Sequence, residues 1–370
     1  MAIETKHQWL GKLASHSPSV ANLCLAKIIP DGKFVVCKGK TKQFYNPDAY
    51  SLANCDVHTK FIAETFDMLA RKGIGQDKLI ALVKGLIQGE AYGTFCEIAA
   101  YAWLDIHATV FDIQVPMTAS EVICENGSII DGRVKLLAQD AYFDVKAFGF
   151  HAHKITRLKD RLKEKIPDRE VLIDGSWDVS VNYLESLLSN PGFGQLQQEL
   201  LEKTFVKRRG LELRLQEKKA VTVSHHTVEP YRLARENADY PFRFAKQFSR
   251  HAPFLLFFVI HPWFSQGDLD QDFAGTVSTF TRALARRAFM QYADDPRSLF
   301  NTTFSEASRL LSGIVFINAW IARDWPLESS SAWIYLNPRA AHKLTRWNFA
   351  LILNANPHRI LLDDFSDDDY

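Results

Sequence analysis

Three residues of this 370-residue chain have the types and spacing for metal-assisted chemistry: Asp131 in the segment SIIDGRVKLL, and Asp144 and Lys146 in YFDVKAFGF. Both segments are rich in β-branched and aromatic residues, and Gln139-Asp140-Ala141 between them supplies a polar turn, so residues 127–150 read as a β-hairpin. Side chains alternate faces along a strand. Phe143, Val145 and Ala147 therefore point one way, and Asp144 and Lys146 the other. With Asp131 close by on the partner strand, two carboxylates and one ammonium converge on a spot suited to a hard divalent cation. The competing account is a cross-strand ion pair on a solvated sheet face, with Lys146 or Lys135 partnering the aspartates.

Two elements upstream would position this hairpin. YGTFCEIAAYAWL, residues 92–104, is apolar or small on nearly every face, which marks a buried helix, and Glu97 is its only charge. A carboxylate there costs several kcal/mol unless it is paired or bound to a cation; a salt bridge to a distant Arg or Lys and a solvated edge are the other accounts. Residues 105–117, DIHATVFDIQVPM, read as a strand leading into the hairpin.

The order of helix with central Glu97, strand, strand bearing Asp131, and strand bearing Asp144-Val145-Lys146 resembles the core of the PD-(D/E)XK nuclease superfamily, over roughly residues 93–150. Ile130 stands where the motif's name has Pro. Acid-x-Lys also occurs at Glu4, Asp31 and Glu217, but in a polar terminus, a tight turn and a charged strand end. The resemblance implies a restriction-endonuclease-like α/β (α+β mixed) fold, a mixed sheet flanked by helices. It also implies a Mg²⁺- or Mn²⁺-dependent deoxyribonuclease of restriction or phage defence, or else a catalytically inactive DNA-binding or scaffolding subunit of a defence complex. DNA is then the partner, with a homodimer or a protein of a defence system beside it. On this reading Asp131, Asp144 and the Val145 carbonyl hold the ion, which polarises the phosphodiester and lowers the pKa of a bound water. Lys146 positions the hydroxide or neutralises developing charge. Glu97 ligates a second ion or orients a metal-bound water.

Composition sets wider bounds. A chain that is 47% hydrophobic and 12% aromatic can bury a large core and excludes extensive disorder. A formal charge of +1 restricts any nucleic-acid surface to a local patch. Five cysteines without a CxxC pair favour free thiols in a reducing cytoplasm. No signal-peptide pattern opens the chain, and PFLLFFVIHPWF is too short to span a bilayer, so no membrane partner is expected. KGKTK, residues 38–42, lacks the first glycine of a phosphate loop.

The expected organisation is an N-terminal hairpin region (1–57), a first part of the nuclease core (58–165), an inserted helical and hairpin subdomain (166–229), the rest of the core with C-terminal additions (230–362), and a frayed acidic tail (363–370). In the first region Asp31-Gly32 is read as the turn of a hairpin over residues 25–39. Helices are expected over 58–73, 76–89, 153–166, 182–190 and 230–250, and a hairpin over 211–230. PFLLFFVIHPWF reads as a central strand covered on both faces. Residues 312–322 and 331–338 read as further strands, and 346–354 fits helix or strand. Lys207, Arg208, Arg209, Arg214, Lys218 and Lys219 form one basic cluster and Arg282, Arg286 and Arg287 a second, each a candidate phosphate surface. His151, His153, His225 and His226 lack zinc spacing.

Overall fold

The computed structural model describes residues 3–38, 42–45, 47–88, 91–107, 109–148, 152–175, 181–209, 211–217, 230–260, 273–319, 331–355 and 358–367. The chain divides into two compact units. One comprises residues 1–147, 246–259 and 310–366, and the other residues 148–245, 260–309 and 367–370.

The first unit is built on a seven-stranded mixed sheet. Its spatial order is Ile360–Asp363, Ala332–Leu336, Leu311–Asn318, Phe254–Ile260, Asp140–Phe148, Ser128–Lys135 and Val110–Met117. The last three form an antiparallel meander, Leu311–Asn318 and Ala332–Leu336 are antiparallel, and Ile360–Asp363 joins the far edge in parallel. All seven residues of Phe254–Ile260 are buried, as an unbroken apolar run at the centre of a covered sheet should be. In Ser128–Lys135, Ile130, Gly132 and Val134 are buried while their neighbours are not.

Helices Asp56–Arg71, Gln76–Gln88 and Ala91–Ile106 flank the sheet, with apolar residues at helical spacing on their buried faces. Aromatic contacts bind the third of these to the strands. Tyr101 stacks on Phe111 at 6.1 Å and meets Phe143 edge-on at 6.4 Å, and Trp103 and Phe143 both contact Phe257, at 6.2 and 5.1 Å. Such aromatic pairs add about 0.5–1.5 kcal/mol each beyond area burial.

The second unit holds a three-stranded antiparallel sheet with Leu211–Gln216 between Glu170–Gly175 and Phe205–Arg208. Helices Ala152–Lys165, Val181–Leu188 and Asn190–Lys203 accompany it, and Leu158, Leu162, Val171, Leu184, Leu196 and Leu213 lie at the heart of its core. Helix Phe273–Met290 lies against Pro230–Glu236 in the same unit.

Several expectations are corrected. The N-terminal region is mainly helical: a Thr5–Gln8 capping box starts Lys6–His16, and Pro18–Asn22 and Pro47–Ala53 follow. Its hairpin pairs Val35–Lys38 with Lys42–Tyr45, not the arms of Asp31-Gly32. Leu25 and Ile29, both buried, are four residues apart, so this stretch turns through Leu25–Lys27 as 3₁₀ helix. Asp31 instead accepts the His7 N–H at 3.0 Å. In the central hairpin the turn is Leu136–Gln139, closed by Leu136 N–H to Gln139 O at 3.0 Å, and Asp140 and Ala141 already belong to the strand.

Leu211–Gln216 takes partners on both sides from earlier chain, while most of its expected hairpin mate lies outside the described residues. The helix over 230–250 breaks at Asn237, whose side chain donates to Leu233 O at 2.9 Å before 3₁₀ helix Tyr240–Gln247 begins. Residues 346–354 fall in helix. The start of the expected tail is ordered: strand Ile360–Asp363 runs into it, and Phe365 is buried and stacked on Tyr335. Among the described residues no helix is long and apolar enough to cross a membrane.

Candidate active site

The register of the central hairpin brings the two aspartates together. Gly132 pairs with Phe143 and Arg133 with Tyr142, and one step further along the same register Asp131 stands opposite Asp144. The ladder stops at that step. On the other side Ile113 pairs with Gly132 and Val115 with Ile130, but Gln114 and Asp131 are skipped, and Gln114 holds a left-handed φ of 48°. Asp131 finds other partners. Its Oδ2 accepts the Val145 N–H at 2.6 Å, and its carbonyl accepts the Tyr101 hydroxyl at 3.0 Å. Strand pairing is thus exchanged, at this one level, for a fixed carboxylate.

Asp144 is fully buried, and neither of its oxygens has a hydrogen-bond partner among the described residues. Lys146 forms an ion pair with its Oδ2. The ammonium thus lies directly against the buried carboxylate, with the Asp131 side chain beside it. Burial, then the facing Asp131 charge, push the Asp144 carboxyl well above the usual range, with Lys146 opposing. For Lys146, burial alone would lower the ammonium, yet Asp144, Asp131 and Glu97 outweigh it and hold the pKa above normal.

Glu97 lies on helix Ala91–Ile106, one turn before Tyr101, and is partly buried. Burial first and Asp131 second raise its carboxyl to about 8, against the pull of Lys146. Three carboxylates therefore lie around one ammonium, and the deficit of positive charge adds to burial in raising the proton affinities of Glu97 and Asp144.

A divalent cation would offset this deficit, carboxylate oxygens being the donors such an ion takes. Among the described residues no three His, Cys, Asp or Glu side chains are grouped closely enough to hold an ion together. The direct carboxylate ligands would then be Asp131 and Asp144, with Glu97 acting at longer range.

Part of the first basic cluster is compensated. In the second unit Lys207 pairs with Glu212, Arg208 with Glu199, and Arg214 with Glu212 at 3.4 Å. Arg209, also at φ 46°, lies over the Tyr183 ring at 5.1 Å, and Arg214 over Phe205 at 5.0 Å. Lys218, Lys219, His151, His225 and His226 lie outside the described residues, as does the side chain of His153. Arg282, Arg286 and Arg287 are half-buried along Phe273–Met290. Sequence reasoning missed two residues of the site. Tyr101, four residues after Glu97 and so on the same helix face, was open to detection. Gln114 carried no signal, because nothing in a strand-like run marks a lone left-handed residue. No family model, curated protein or solved structure matches the chain.

Proposed function

We propose that the protein is a Mg²⁺- or Mn²⁺-dependent deoxyribonuclease of the PD-(D/E)XK kind, with its site at Asp131, Asp144 and Lys146. The observation that carries this reading is the neighbouring pair Asp131 and Asp144, with the buried Asp144 carboxylate ion-paired to Lys146. A cross-strand ion pair on a solvated face would leave Asp144 hydrated, and it is not. The meander carrying these residues, with the apolar strand Phe254–Ile260 beside Asp140–Phe148, supports the restriction-endonuclease-like core that the resemblance implies.

In this site Asp131 is held by Val145 N–H and Tyr101 so that its carboxylate is preorganised. When bound, the ion would polarise the phosphodiester and acidify a water. Lys146, kept protonated by three carboxylates, stabilises charge that develops on the phosphoryl oxygens. Glu97, with its raised proton affinity, can take or return a proton near neutral pH. Restriction or phage defence, the DNA preference and a cytoplasmic setting rest on the resemblance and the cysteine pattern.

A second reading, an inactive DNA-binding or scaffolding subunit, is favoured by the Lys146–Asp144 pair and by the absence, among the described residues, of three potential ligands close enough to hold one ion. Incubating plasmid, linear and single-stranded DNA with the protein, with Mg²⁺, Mn²⁺ or EDTA, separates the two. We expect metal-dependent cleavage that Asp144→Asn and Lys146→Ala each reduce by about 10³-fold or more while binding persists. Binding without cleavage in any metal would establish the second reading instead.

A further inference from the structure

The seven-stranded sheet has two edges of different character. Val110–Met117 is blunted as an edge should be, by Pro116, by Gln114 at φ 48°, and by Lys78, which donates to Ile113 O at 2.6 Å. The opposite edge, Ile360–Asp363, has no proline, glycine or break. Ala332 N–H donates to Arg359 O at 2.9 Å. In this parallel ladder alternate residues bond inward, so Ile360 and Leu362 turn their N–H and C=O groups away from the sheet. Among the described residues one of these groups takes a partner: Arg346 donates to Leu362 O at 3.0 Å, leaving that oxygen a second lone pair.

Apolar surface gathers at the same edge. Trp347 is 66% exposed, Leu351 55% and Leu361 44%. A cleft of about 460 Å³ runs beside the strand, lined by Trp347, Ala350 and Leu353 across from Ile360 and Leu362. Soluble monomers seldom leave apolar side chains clustered around an open strand, because the combination templates association.

The sequence of the strand says which partner fits. His358-Arg359-Ile360-Leu361-Leu362-Asp363-Asp364 is basic at its start, apolar in the middle and acidic at its end. Laid antiparallel against a second copy about Leu361, it sets Arg359 opposite Asp363 and His358 opposite Asp364, twice over by symmetry. The same register pairs Ile360 with Leu362 of the other copy, and these are the residues whose backbone groups point outward. We propose that the protein is a homodimer joined edge to edge through Ile360–Asp363, with Trp347, Leu351 and Leu361 of both copies covered at the joint. The charge pattern excludes the parallel arrangement, which would set like charges side by side.

The test is the mass of the full chain in solution, by sedimentation or light scattering at tens of micromolar. Wild type should be a dimer. Arg359→Glu sets Glu against Asp363, and Asp363→Lys sets Lys against Arg359, so each variant alone should weaken dimerisation by at least about tenfold. Mixed together they should restore it, since both cross-strand pairs then have opposite charges. Leu361→Asp, an exposed position whose change should leave the melting temperature within a few degrees, should also give monomer. A monomeric wild type, single variants that stay dimeric, or a mixture that fails to reassociate would each overturn the proposal, as would a wild type that associates only with a different protein.

Discussion

Glu97 is where the chemistry of the site is most open to measurement. Its carboxyl titrates at 4.5 in an unfolded chain and at about 8 in the folded protein. Between those values the folded state keeps a proton that the unfolded state has lost. Stability therefore falls as pH rises from about 4.5 to about 8, by on the order of a few kcal/mol, and levels off above, where both states are ionised. Asp144, also raised, adds a slope of the same sign above its ordinary range. We expect chemical denaturation in EDTA to show this decline, and Glu97→Gln to flatten much of it and leave the protein more stable than wild type at pH 8. Mg²⁺ or Mn²⁺ at pH 8 should raise the melting temperature of wild type by mass action, and of Glu97→Gln by less. A Gln variant that is destabilised equally at pH 5 and pH 8, with or without metal, would mean that Glu97 serves a buried cation instead. The presence of Glu97 in an apolar helix was plain from sequence, and so was its cost. Its partners were not, because a helix pattern reports which face is buried but not what faces it.

At the level of the element, the site depends on a hairpin that is regular up to Gly132 and irregular at the next residue. A Cβ on Gly132 would come within 2.3 Å of Phe143 Cζ and 2.5 Å of Asp112 O. The ring could shift, but the Asp112 carbonyl belongs to the sheet and cannot. Gly132→Ala should therefore cost about 2 kcal/mol or more in denaturant stability and lower activity, since Asp131 moves with it. Gln114→Gly tests the opposite sign. It removes the side chain from a left-handed backbone that costs on the order of 1 kcal/mol, so it should be neutral or stabilising, whereas glycine inside a strand ordinarily destabilises. A clear loss of stability would show that the Gln114 side chain has a role of its own. The hairpin, its acidic residues and the apolar helix before it were legible because each has a period or a composition that repeats over many residues. The break at Asp131 was not, because it depends on three strands and the Tyr101 hydroxyl meeting at one level. In the N-terminal region a strong turn dipeptide misled for the same reason: Asp31-Gly32 does turn the chain, but onto helix Lys6–His16 instead of into a hairpin.

On the proposed deoxyribonuclease reading, the formal charge of +1 across the whole molecule leaves little long-range attraction for DNA, and affinity would come from local cations that can meet phosphate. Counting basic residues in the sequence overstated that supply. Glu199 and Glu212, which precede and follow the Lys207-Arg208-Arg209 run, fold back onto it, and two of its three cations already have carboxylate partners. Arg209 is exposed and lies over an aromatic ring, and has no ion pair among the described residues. These two situations predict different salt dependence. A cation that must leave a carboxylate to reach a phosphate exchanges one ion pair for another and releases few counterions on balance. An exposed guanidinium displaces about 0.9 of a counterion per phosphate it meets. If this surface contacts DNA, Arg209→Gln should reduce the slope of log affinity against log salt by about one. Lys207→Gln and Arg208→Gln together should reduce it by less than that single change. Titrating labelled duplex at several salt concentrations gives both slopes. A larger effect from the paired residues would mean that Glu199 and Glu212 surrender them on binding, and equal slopes in all variants would remove this sheet from the interface.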